Sequence, residues 1–167
     1  MPSNFVHVAE FIGQRIMRPI GQVSFWSYLV VAVLGLGGLG VWHAFLQAYY
    51  FESAPKGDVA VSLYTYFAAL AGASIVQLTL DEDKAVRAAF QFFGFLLAGY
   101  GFVCFFFLND GSDRAVYMGL GGVFFAVVIW WVANGDNSCL QDNIDPKDSI
   151  GGDETLSPSG DDEGYKT

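Results

Sequence analysis

The chain has 167 residues, of which 53% are apolar, 17% aromatic and only 15% charged, with a mean hydropathy of +0.40. A soluble domain carries about a quarter charged residues, so the composition excludes an ordinary water-soluble globule and points to one membrane-embedded domain. Nine Asp and Glu against two Lys lie between Asn134 and Thr167, a net of −7 out of the total −9; this acidic balance describes a tail, which repels nucleic-acid phosphates and argues against direct nucleic-acid binding.

Residues 1–22 form an N-terminal flank. In "FVHVAEFIGQRIMR", Phe5, Val8, Ile12 and Ile16 recur at helical spacing, and Pro19 and Gly21 separate them from the first long apolar run. The pattern predicts a short amphipathic helix on the inner membrane surface, with Arg15 and Arg18 near anionic headgroups; packing on a partner subunit gives the same pattern.

A bilayer core about 30 Å thick needs roughly 20 apolar helical residues. Four windows within residues 23–134 meet this, at about 23–47, 59–80, 88–108 and 115–133, and none contains Asp, Glu, Lys or Arg. The first is too long for a signal-peptide core and lacks a small-x-small cleavage site, so it is expected as an uncleaved span. The expected fold is an all-α membrane protein of four antiparallel transmembrane helices joined by short loops.

The first window holds Gly35-Leu36-Gly37-Gly38-Leu39-Gly40, which as a string is the G-x-G-x-x-G phosphate cradle of dinucleotide-binding folds. That fingerprint needs a preceding strand and an aqueous helix start, and a glycine run inside an apolar span supplies neither. In lipid, missing side chains let helix backbones approach. Gly35, Gly37, Gly38 and Gly40 are therefore expected to pack against other helices. The same holds for Ala69, Gly72 and Ala73 in the "AALAGAS" of the second span, and for Gly119 and Gly122 in the fourth. Gly94, Gly99 and Gly101 extend the pattern to the third.

Intramembrane charges mark proton relays and gating elements, and the four windows have none. Gln77 near the end of the second span and Gln91 near the start of the third are expected to face each other as an interhelical amide pair, either as structural glue or as a transport site. Tyr49, Tyr64, Tyr66, Trp42 and His43 are expected at the outer boundary, and Trp26, Tyr28, Trp130 and Trp131 at the inner one. Cys104 and Cys139 fall on opposite sides and have no metal-ligand spacing, and His7 and His43 are isolated; no metal, cofactor or catalytic constellation is expected. Arg15, Arg18, Lys84 and Arg87 outnumber Lys56 and Arg114 on the other side, which places both termini in the cytoplasm. Residues 135–167 are low in apolar side chains and are expected as a largely disordered cytoplasmic tail, acting as a solubiliser or as a recruitment segment for a basic protein.

With "GLGGLG" in the first span, "AALAGAS" followed by "DEDK", and "WWVANGDN" leaving the fourth, residues 20 to 140 resemble the four-span membrane subunit of the Kiwa anti-phage defence system. The resemblance implies an oligomeric inner-membrane component that detects infection and works with a cytosolic DNA-binding partner; it carries over no functional residue. The expected function is a non-enzymatic homo-oligomeric scaffold or sensor, surrounded by membrane lipid and serving a soluble cytoplasmic partner. The alternative is a small oligomeric channel or transporter without intramembrane charge.

Overall fold

A computed structural model describes residues 4–52, 55–80, 84–108 and 113–142; among them nearly every residue is helical and none is in a strand. Helix α1 runs over Asn4–Met17 and gives way to a 3-10 turn, Arg18–Gly21. Pro19 ends α1 for a covalent reason: it has no amide hydrogen to continue the ladder, and its ring collides with the carbonyl four residues back. The chain then bends by 92° into the next segment. That segment comprises α2, Val23–Tyr28, a π-helical stretch, Leu29–Gly37, and α3, Leu39–Tyr49. The remaining helices are α4, Lys56–Thr79, α5, Lys84–Leu108, and α6, Asp113–Asn134, and a 3-10 turn, Ser138–Leu140, comes after α6.

Among the described residues, α4, α5 from Val86 onward and α6 are each long and apolar enough to cross a bilayer. The window expected as one continuous span over residues 23–47 is instead divided at Gly38, between the π-helical stretch and α3.

Helix α4 is central, packed against α3, α5 and α6. At one end Ala44, Val59, Ala60, Leu63, Ala115 and Val116 are buried together. There Lys56 Nζ donates to Asp113 Oδ1 at 2.7 Å, so α4 and α6 start side by side. Phe67, Ala71 and Ala126 fill the middle. At the other end Leu78, Val86, Phe90, Val132 and Ala133 are roofed by Phe11, Ile12 and Ile16 of α1. Phe11, Ile12 and Ile16 of α1 thus pack within their own chain. Helix α5 is peripheral: Phe92, Phe95, Phe102, Phe105 and Phe106 all point away from the bundle.

The folded body extends past Asn134, further than the sequence pattern placed it. Leu140 is buried with Phe25, Leu29, Val33 and Trp130, so the start of the tail expected over residues 135–167 is packed, and residues 143–167 lie outside the described residues. Two acidic side chains fasten this extension to the elbow between α1 and α2. Arg18 pairs with Asp136. The Asp142 carboxylate accepts hydrogen bonds from the amides of Val23 and, at 2.9 Å, Ser24, while its own amide donates to Gln22 Oε1 at 2.7 Å. The first amides of any helix lack intrahelical partners. Gln22 offers α2 no side-chain cap, and Asp142 supplies one from the far end of the chain.

Hydrogen bonds from Ser24, then from the Val23 amide, hold the Asp142 carboxyl below its ordinary value of 3.8 despite some desolvation. A depressed folded-state value means that the clasp is intact above the ordinary value and is lost as pH falls through the folded one. Amide hydrogen exchange at Val23 and Ser24, corrected for intrinsic rate, is expected to show protection at neutral pH that disappears in acid below 3.8. Asp142→Asn is expected to flatten that dependence; an unchanged profile in the variant would assign the protection elsewhere.

Candidate functional site

The divided first segment shapes a polar region between the helices. A π-helix takes an extra residue per turn and is rare beyond one turn; in this segment it continues for nine residues, Leu29–Gly37. It reverts to α-helix at Gly38, where φ is −84° and ψ is 3°. Any Cβ at Gly38 would run into the Leu34 carbonyl oxygen, which accepts instead from the Trp42 indole Nε1 at 2.9 Å. The glycine allows the carbonyl its approach, and the indole satisfies it.

Opposite this segment, α4 carries Ser62, Thr65, Tyr66, Ser74 and Gln77. All five line two adjoining crevices between the first segment and α4. The inner crevice, about 380 Å³, is walled by Tyr28, Gly37, Tyr66, Ser74, Gln77 and Asn134 among others. The outer one, about 310 Å³, is walled by Gly37, Gly40, Ser62, Thr65, Tyr66 and Ala69 among others. Gly37 and Tyr66 belong to both. Ser62 to Gln77 is 15 residues, or about 22 Å along α4, against a hydrocarbon core of about 30 Å.

Most of these polar groups are tied to a backbone carbonyl. Tyr66 donates its hydroxyl to Val33 at 2.7 Å, Thr65 to Val61 at 2.9 Å and Ser74 to Leu70 at 2.8 Å. Gln77 Nε2 donates to Ala133 at 3.3 Å, and Asn134 Nδ2 to Trp130 at 3.0 Å. Tyr66, expected at the outer boundary, sits ten residues into α4, about 15 Å from its start. Trp26, Tyr28, Trp130 and Trp131 do gather at one end around Phe25, with ring centroids 5.0 to 6.5 Å apart.

The expected amide pair is not assembled. Gln77 reaches Ala133, both residues are exposed, and among the described residues no hydrogen bond joins the two. The small residues divide in the same way. A Cβ on Gly119 would stand 2.8 Å from Leu63 Cβ, and one on Gly122 would stand 3.0 Å from the Phe67 ring. Gly37 faces the Tyr66 ring at 3.4 Å. Gly35 meets the Val30 carbonyl of its own segment at 3.1 Å, and Gly40 and Gly72 meet nothing within 4 Å. Ala69 and Ala73 are exposed on the crevice walls. Sequence reasoning missed Ser74 and Asn134 and gave Tyr66 a boundary role; the spacing of Ser62, Tyr66, Ala69, Ala73 and Gln77, always three or four residues, is the signal that would have joined Tyr66 to the seam.

Among the described residues no three His, Cys, Asp or Glu side chains gather as a metal site, and Cys104 and Cys139 are free thiols. No known protein family, curated protein or solved structure matches the chain.

Proposed function

We propose that this chain is a four-crossing integral membrane protein of the bacterial inner membrane, with antiparallel spans and both ends in the cytoplasm, and that it serves as a non-enzymatic oligomeric scaffold or sensor for a soluble cytoplasmic protein. The observation that carries the topology is the clasp. Asp136 and Asp142, beyond α6, reach Arg18, Val23 and Ser24, at the start of the first segment, and such a meeting requires an even number of crossings. The divided first segment then counts as the fourth span, its 27 residues from Val23 to Tyr49 being ample for about 30 Å. Assembly is supported by Ala68 and Gly72, exposed four residues apart on α4, since close backbone approach is what drives helix association in lipid. The defence setting belongs to the same proposal and rests on the resemblance.

Reporter fusions at the two ends are expected to report the same, cytoplasmic compartment. Affinity purification from the native host in mild detergent is expected to return an oligomer with a soluble protein bound; a bare monomer would remove the scaffold reading. A channel or transporter is the second reading, favoured by the polar crevices along α4.

A further inference from the structure

We propose that the two crevices form one water-filled path for small neutral solutes that donate hydrogen bonds, of the urea and glycerol class, with Tyr66 at its waist. The inference rests on the channel reading and names its substrate class.

The polar side chains are not scattered. Ser62, Thr65, Tyr66, Ser74 and Gln77 from α4 meet Tyr28 and Asn134 along a single seam. The groove between α1, α5 and α6 is the contrast. It encloses about 420 Å³, and Ile12, Ile16, Phe90, Leu97, Tyr100 and Val128 are among its walls, with Tyr100 its one hydroxyl. That groove suits acyl chains. Dry, the α4 seam would strand its oxygens in a medium that cannot solvate them. Each crevice holds several times the volume one water needs, and polar partners are present, which are the two conditions for internal water.

The hydrogen-bond pattern sets the solute. The hydroxyl protons of Thr65, Tyr66 and Ser74 are committed to carbonyls, as is one N–H each of Gln77 and Asn134. Those three hydroxyls therefore have only lone pairs to offer, while Tyr28, Ser62 and the second N–H of each amide can donate, so a molecule that both donates and accepts, as urea and glycerol do, complements the seam. No Asp, Glu, Lys or Arg lines either crevice. An ion leaving water would meet no countercharge there, whereas a neutral donor exchanges water hydrogen bonds for comparable ones.

Tyr66 controls the junction. Its ring lies against Gly37, where a Cβ would stand 3.4 Å from the ring, and its hydroxyl is held by Val33 O at 2.7 Å. Gly37 thus makes room for the ring, and the hydrogen bond fixes it across the place where the crevices meet.

Purified protein in phosphatidylcholine vesicles, checked by flotation to be membrane-integrated, provides the test by stopped-flow light scattering. Urea and glycerol permeability is expected to exceed that of protein-free vesicles. Tyr66→Phe, which frees the ring, is expected to raise it about two- to tenfold, the effect of one hydrogen bond on an equilibrium. Ala73→Phe, on an exposed crevice wall, is expected to return it to the protein-free level. An independent arm uses a Cys139→Ser background and a membrane-impermeant maleimide: Ala73→Cys is expected to label several-fold faster than Phe95→Cys, which lies on the outward face of α5. Integrated protein with protein-free permeability would overturn the path, as would equal labelling at the two positions. A disulfide between two Ala73→Cys chains would also overturn it, by showing that a second copy fills the seam. Failure of flotation would instead overturn the membrane reading itself.

Discussion

Phe25→Ala is expected to destabilise the protein by about 3 kcal/mol, the lower end of the range for truncating a buried phenylalanine. The side chain is 1% exposed and joins three tryptophans: Trp131 at 5.1 Å between ring centroids, Trp130 at 5.5 Å and Trp26 at 6.5 Å. The loss comes from the cavity and from ring pairs worth about 0.5–1.5 kcal/mol each. The position is also a joint. Phe25 belongs to α2, Trp130 and Trp131 to α6, and Leu140 to the extension beyond it, so the hole would loosen the start of the first segment and the clasp together. Phe25→Leu, which keeps most of the volume, is expected to cost under about 1.5 kcal/mol. Denaturant titration in detergent provides the measurement. Intrinsic fluorescence is a suitable readout, because three of the four tryptophans contact this ring. A loss below about 1 kcal/mol, within the range of ordinary surface changes, would mean that the aromatic joint is not closed.

Charge-free apolar runs made α4, α5 and α6 legible in advance, because each depends only on the length and composition of a continuous stretch. The first segment shows where such legibility stops. Its composition is as apolar as the others, but its division depends on a particular exchange of partners, the Leu34 carbonyl accepting from the Trp42 indole across a glycine. That is a tertiary event eight residues long, and no periodicity announces it. Helix rotation is hidden for a related reason. Gln77 and Gln91 flank one connection, which suggested that they meet. But α5 turns Phe90, Gly94 and Gly101 towards the bundle, and Gln91 follows Phe90 by one residue, about 100° around the helix. Gln77 donates to the Ala133 carbonyl instead. Tyr66 was placed at the boundary because tyrosines in spans commonly sit there; in the fold it lies ten residues into α4, with its hydroxyl taken by the Val33 carbonyl.

The glycines separate into two groups with opposite expected outcomes on substitution. Gly119→Leu and Gly122→Leu are each expected to lose about 3 kcal/mol, the upper part of the usual overpacking range. Even the first added carbon at Gly119 would stand 2.8 Å from Leu63 Cβ, an atom fixed to its backbone, so α4 and α6 must separate to admit it. At Gly122 the obstruction is the Phe67 ring at 3.0 Å, with the Tyr100 ring at 3.2 Å on another side. Gly40→Ala and Gly72→Ala meet open space within the chain. They are expected to be neutral or to stabilise by up to about 1 kcal/mol, as alanine loses less backbone freedom than glycine on entering a helix. Thermal unfolding in detergent, run beside size measurement, distinguishes the causes. If Gly72→Ala lowers stability while the particle shrinks from oligomer to monomer, its face is covered by a second copy. If Gly119→Leu is tolerated without loss, α4 and α6 are not in close contact and the central packing of the bundle is wrong.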